Sequence, residues 1–349
     1  MISPFSGETS AHARRRRAGL IGIAGIVVVL LAVLAHKAFF SQPSDVAAVD
    51  KLTVAIPSAP HAALVHLALA KHYFEDEGLD LKPVSVTHGK LALELLAQGR
   101  VDMAAAAELP FAVHVMNGQA FSLVASIASA TSEMAVVARR DRHIDGPADL
   151  AGKRIGVTLG TSGEYFLWAF LIRHQLAPEA VTLVDIPPER LDAELVRGGV
   201  DAIAAWQPTR ARAANALGKL GLELVEPNAY TATYVLVGQQ NFLQAHPTIP
   251  EKLLRALLKA EDFMQRQPVQ AQQLVAQRLN VPFETLRPSW GDQDFRVDFL
   301  QSQLVTLEEE AHWAVARGYA PPGPAPNFLP HLYLDGLLKV RSERVTVVH

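Results

Sequence analysis

Residues 149–218 read DLAGKRIGVTLGTSGEYFLWAFLIRHQLAPEAVTLVDIPPERLDAELVRGGVDAIAAWQPTRARAANALG, and this stretch decides the fold. Short apolar runs at 154–158, 181–185 and 202–205 have the length of buried strands, and apolar residues at helical spacing fill 164–174, 188–197 and 209–217. Strands that alternate with helices in this way pair in parallel through crossover helices, so the stretch is expected to build an open α/β sheet.

The same pattern extends outward on both sides. Upstream, strands are expected at 52–56, 81–86, 101–106 and 121–127, with helices at 62–77, 90–98 and 110–117 between them. Gly78, Gly99 and Gly118 each stand where one of these helices must stop. Residues 134–138 join the two blocks, a strand at 234–237 returns the chain, and helices at 250–267, 269–279 and 297–317 follow. The reading is two lobes of one architecture, each a mostly parallel sheet flanked by helices.

The N-terminal region reads differently. Four arginines at 14–17 precede AGLIGIAGIVVVLLAVLA at 18–35, which is uncharged. Eighteen helical residues span about 27 Å, close to the hydrocarbon thickness of a bilayer. The expectation is a cytoplasmic basic tail at 1–17, one transmembrane helix at 18–38 and a polar linker at 39–50, with everything beyond exported by the positive-inside rule. Small residues at Val33, Leu34 and Ala35 would suit a signal peptidase, but the run is longer than a cleavable signal needs, which favours an anchor.

Composition removes several classes of function. The chain has 349 residues and a formal net charge of −3, of which the first 40 residues carry +4, so the body is acidic and a poor nucleic-acid binder. It has no cysteine, which excludes disulfides, thiolate metal sites, cysteine nucleophiles and a lipoprotein anchor. The 13 histidines make no strong metal spacing, and there is no GxSxG. Asp141, Asp145 and Asp149 read as solvated, and Glu308, Glu309 and Glu310 as a wet helix face. No cofactor is expected.

Four ordered blocks in 149–218, namely DLAGKRIGVTLGT, the aliphatic helix, VTLVDIPP and GGVDAIAAWQP, resemble the second lobe of periplasmic substrate-binding proteins of the nitrate, sulfonate, taurine and thiamine-precursor (NMT1/THI5-like) family. HYFEDEGLDL at 72–81, LAQGRVDMA at 96–104 and AVVARRD at 135–141 agree with the first lobe. The resemblance implies the two-lobed type II periplasmic binding protein fold, with lobe I at 51–136 and 235–349 and lobe II at 137–234. It also implies an ABC importer's solute-binding protein that serves a permease and its ATPase. Gln207 stands where the family usually has an acidic residue, which puts a salt bridge there in doubt. An enzyme on the same fold would call for a cysteine this chain lacks; a membrane-tethered ligand sensor is the other alternative.

In open parallel sheets a ligand sits beyond the carboxyl ends of the strands, against helix N-termini. The candidate contacts are therefore Ser58 and His61 after the first strand, His88 and Gly89 after the second, and Glu108 after the third. Glu108 either favours the dipole of the helix it opens or pairs with a cationic group of the ligand. In the second lobe they are Thr161, Ser162 and Gly163, whose GTSG turn can aim N–H and O–H groups at one oxyanion, and Trp206 with Gln207. The turn is not a P-loop, because the lysine is missing. Tyr230, Thr231 and Thr233 are further residues that could face the cleft, and at least two of Tyr165, Phe166 and Trp168 should pack on the sheet.

Overall fold

The first block of the pattern supplies β1 (Asp50–Pro57), β2 (Leu79–Val86), β3 (Met103–Ala107) and β4 (Phe121–Ala130). The second supplies β5 (Ala135–Arg139), β6 (Arg154–Val157), β7 (Thr182–Asp185), β8 (Ala202–Ala205) and β9 (Gly221–Leu224). The returning chain adds β10 (Ala232–Gln239) and β11 (Gln293–Asp294). The computed structural model describes residues 49–227 and 229–348. The basic tail, the apolar segment read as a membrane helix and most of the linker lie outside the described residues. No described helix is long and apolar enough to cross a membrane.

The strands form two sheets, ordered β11-β4-β10-β3-β1-β2 and β7-β6-β8-β5-β9. In the first, β1 pairs in parallel with β2 and β3, while β10 lies antiparallel between β3 and β4. In the second, β6 pairs in parallel with β7 and β8, while β5 lies antiparallel between β8 and β9. In the second sheet one strand, β5, runs against the others; in the first, β10 does, and β11, antiparallel to β4 at the edge, runs with it. In each sheet the first strand laid down after the chain changes sheet is a reversed one. The sheets are mixed for that reason and not simply parallel. Residues 131–134 and 225–231 carry the chain between them, and 134–138 and 234–237 are largely strand residues of β5 and β10.

The central strands explain their own position. β3 (MAAAA) and β4 (FSLVASIASA) are buried nearly throughout, as strands covered by helices on both faces must be. β2 alternates buried and exposed residues and carries Pro83, which suits the sheet edge it occupies. Most helices fall where the spacing puts them, including Thr209–Leu217 and Thr248–Arg266. The helix expected at 62–77 is broken into Ala63–Ala70 and Tyr73–Asp76, with His72 between them at φ 57° turning the chain toward β2. Phe283–Trp290 adds a helix that the spacing did not mark.

The Glu308 to Glu310 run is only partly a wet face. Glu308 and Glu309 are exposed, but Glu310 is fully buried, on the same side of the helix Gln301–Ala316 as Leu307, Ala311 and Ala314.

A buried histidine makes stability depend on acid. His66 lies inside the helix Ala63–Ala70 and donates from Nε2 to the Pro57 carbonyl at 3.0 Å, beneath the first strand end. Burial, the largest cause, pulls its pKa from 6.5 to about 4. A depressed histidine contributes stability that is present above pH 6.5 and lost as the pH falls through 4. The loss attributable to it should reach about 3 kcal/mol. His66→Gln, which keeps the donor but cannot titrate, should flatten that part of a chemical-unfolding series across this range; an unchanged slope would mean that His66 is protonated in the fold.

Candidate functional site

Five strand ends feed one place. Loops after β1, β2 and β3 meet loops after β6 and β8 around a partly open cavity of about 30 Å³. That is room for one or two water-sized groups. His61, His88, Gly89 and Lys90 line it from the first sheet, with Ala107 and Pro110 at the start of the helix Glu108–Met116. Thr161, Ser162 and Trp206 line it from the second, and Met134 and Tyr234 enter from beside the crossings.

Two helix N-termini point at this space, Gly89–Ala97 and Ser162–Arg173. The first-turn N–H groups of a helix have no intrahelical acceptor, so each end offers donors and positive potential. Gly89 is required sterically: a Cβ there would lie 2.5 Å from the Ala106 backbone. His88 caps this helix, its Nδ1 accepting from the Leu91 amide at 3.3 Å, which leaves Nε2 to carry the hydrogen of the neutral ring. Burial holds the His88 pKa below the ordinary histidine value and keeps it neutral.

In the GTSG turn the two hydroxyls differ. Thr161 Oγ1 donates to the Thr158 carbonyl at 2.7 Å, so its hydrogen is engaged inside the loop and not directed at a ligand. Ser162 Oγ is buried, lies toward the Tyr230 phenol and makes no close hydrogen bond among the described residues. Gly160, at φ 69°, donates its amide to Glu164 Oε2 at 2.8 Å, and Glu164 in turn accepts from Arg317 at 2.8 Å and from Tyr319 at 2.5 Å. Gly163 lies against the Trp206 indole, where a Cβ would come within 3.0 Å of the ring.

His61, His88, Gly89, Thr161, Ser162 and Trp206 are therefore brought together, and the other expected contacts do not line the cavity. Ser58 is exposed. Glu108 turns away to accept from the Tyr230 hydroxyl at 2.6 Å and the Thr233 amide at 2.8 Å. Gly163 stands behind Trp206, and the Gln207 side chain accepts from the Ala211 amide. Tyr165 and Phe166 are buried and Trp168 is half-buried.

Lys90 and Tyr234 escaped sequence reading. Lys90 Nζ donates to the Leu159 carbonyl at 3.1 Å, reaching from the first sheet's helix to the second sheet's loop. Its signal was present, since a lysine in the first turn opposes the helix dipole and gains nothing for the helix. Tyr234 stacks on His61 with ring centres 3.9 Å apart and donates to Glu133 Oε2 at 2.5 Å, with His61 Nδ1 3.7 Å from the other oxygen. Among the described residues no group of histidine and carboxylate side chains is placed to hold a metal ion. The lining residues include a lysine and no carboxylate. This arrangement can receive a small anionic group and orient it by hydrogen bonds.

Residues 59–271 match the family model described as NMT1/THI5 like. The chain is 29% identical over 241 residues to the taurine-binding periplasmic protein of Escherichia coli (strain K12), covering 66% of this chain and 70% of that one. Its structure is similar to that of the alkanesulfonate-binding protein SsuA from Xanthomonas axonopodis pv. citri bound to MOPS, with a TM-score of 0.71 and 19% identity over 82% of this chain and 99% of that one. The periplasmic nitrate-binding protein NrtA from Synechocystis PCC 6803 gives a TM-score of 0.69 at 13% identity, over 84% and 89% of the two chains. The fold is that of the periplasmic binding proteins.

Proposed function

The chain belongs to the NMT1/THI5-like family, and from that membership we propose that it is an exported solute-binding protein of an ABC importer for a small anionic or zwitterionic organic solute. The observation that carries this reading is the meeting of two helix N-termini, Lys90 and the buried Ser162 hydroxyl in one cavity without a carboxylate. The acidic group of the solute, a sulfonate or one of similar shape, rests there. Trp206, Tyr234 and His61 cover its apolar part. Lobe I (51–136 and 235–349) and lobe II (137–234) close on it, and the closed form is presented to a permease and its ATPase. Residues 18–38 hold the protein at the cytoplasmic membrane, a reading supported by the arginines at 14–17.

Calorimetry with taurine, ethanesulfonate, nitrate and an uncharged sulfonamide tests the reading. One of the anions should bind, and the sulfonamide should bind at least about tenfold more weakly. Binding of the sulfonamide alone would reject the anion site. A tag at Met1 should resist protease in spheroplasts whose exported body is digested; a protected body would reject export.

The same calorimetry distinguishes the two hydroxyls of the turn. Ser162→Ala should lose one charge-assisted hydrogen bond, worth about 1.5 to 3 kcal/mol, or a ten- to hundredfold rise in Kd. Thr161→Ala acts only through the loop it braces and should cost the anion less. Equal losses in folded variants would show that Thr161 faces the solute directly.

A further inference from the structure

Behind the cavity two glutamates meet over one tyrosine. Glu108 is 3% exposed and Glu310 is 0% exposed. The Tyr230 hydroxyl lies 2.6 Å from Glu108 Oε1 and 3.0 Å from Glu310 Oε1, and Oε2 of each carboxyl has no partner among the described residues. A phenol has one hydrogen and can donate to one of them only. With both carboxylates ionised, one buried charge would face the phenol oxygen with nothing between them, a costly arrangement without a cation. The contact closes if one carboxyl keeps its own proton and donates it to the phenol oxygen while the phenol donates to the other.

The three residues come from three separate elements. Glu108 opens the helix Glu108–Met116, whose first turn lines the cavity. Tyr230 belongs to the segment 225–231 that brings the chain back to the first sheet. Glu310 sits in the helix Gln301–Ala316. The ring of Tyr165, from the helix behind the GTSG turn, meets Tyr230 edge-on with centres 5.1 Å apart. The Ser162 hydroxyl also lies toward the Tyr230 phenol.

We propose that Glu108, Tyr230 and Glu310 form a proton-binding site whose one shared proton ties the cavity-lining helix, the returning segment and the helix Gln301–Ala316 together. The ionisable groups facing it from neighbouring elements are acidic or phenolic: Glu133 before β5, Glu309 on the helix Gln301–Ala316, Tyr165 and Tyr234. The basic side chains near Glu133 are His61, with Nδ1 3.7 Å from its carboxyl, and Arg210, which donates to the Ser132 and Glu133 carbonyls and pairs with Glu223. Among the described residues no basic side chain pairs with Glu108 or Glu310, so none replaces the proton when it leaves. Burial, the largest cause, pushes both carboxyls up, Glu108 to about 8. A raised carboxyl contributes stability that is complete below its ordinary value of 4.5 and is lost as the pH rises through 8. Above that the two carboxylates repel across the phenol and the tie loosens.

The proposal stands apart from the solute reading, and its test uses the full chain without any solute. Infrared difference spectra should show a protonated carboxyl at neutral pH that disappears through about pH 8, and Glu310→Gln and Glu108→Gln should each remove it. In parallel, hydrogen exchange of a peptide covering 225–234, corrected for intrinsic rates, should speed up about tenfold between about pH 7 and about pH 9.5 in the unmodified protein. In Glu310→Gln the amide can donate to the phenol at every pH, and the exchange should be nearly flat. A spectrum with no protonated carboxyl at neutral pH, or one that both glutamine variants leave in place, overturns the site. Exchange that is equally insensitive to pH in the unmodified protein overturns the tie.

Discussion

Trp206→Ala should lower stability by about 3–5 kcal/mol and weaken solute binding at least tenfold, by the same factor for an anionic and a neutral solute. The indole is 9% exposed at the end of β8 and lies directly over Gly163. A truncation leaves a void whose floor is a residue with no side chain, so the surroundings have nothing to move into it. The cavity cost should then add to the lost burial almost in full. The converse substitution, Gly163→Ala, pushes a methyl into the ring and should cost about 1–3 kcal/mol by overpacking. Urea unfolding gives the first quantity and calorimetry the second. A Trp206→Ala protein that loses less than about 1 kcal/mol would mean that the indole rests on solvent and not on the glycine turn.

The parts of this structure that sequence reveals are those set by local periodicity. The strand and helix alternation in 149–218 and in the first block follows from apolar spacing, and it places the loop residues that converge on the cavity. Strand direction is a different matter. β5 and β10 carry the same kind of apolar run as their neighbours, yet each is reversed and each follows a change of sheet that local spacing does not announce. Lys90 was legible in principle, as a cation where the helix dipole disfavours one. Glu310 was legible by phase, sharing its side of the helix with Leu307, Ala311 and Ala314, but a buried carboxylate runs against every transfer scale. Its burial is explained only by Glu108 and Tyr230, which lie far from it in sequence. Met134 and Tyr234 reach the cavity from beside the crossings, and their neighbours exist only once both sheets are assembled.

Glu164 shows how the GTSG turn is held to the rest of the molecule, and its removal should have the other large effect. The carboxylate is 1% exposed and sits in the first turn of its helix, where negative charge is favoured. One oxygen accepts from Arg317 Nε and Nη2 at 3.1 and 2.8 Å, and the other from the Gly160 amide at 2.8 Å and the Tyr319 hydroxyl at 2.5 Å. Glu164→Ala leaves the Gly160 N–H without its partner and frees Arg317. Breaking a buried pair costs about 3–5 kcal/mol, and the lower end applies because the arginine, 34% exposed, can turn to water. Glu164→Gln keeps one carbonyl oxygen for the Gly160 amide or for Tyr319 and loses the charge facing Arg317, so it should cost roughly half as much. Since Gly160 precedes Thr161 and Ser162, the alanine variant should also weaken solute binding about tenfold or more, whereas Arg317→Met should reduce stability with a smaller loss of affinity. Thermal and urea unfolding with calorimetry on all three variants separate these effects. If Glu164→Ala unfolds more easily but binds as well as the unmodified protein, the turn keeps its shape without the carboxylate, and the path from Arg317 and Tyr319 to the solute does not pass through Gly160.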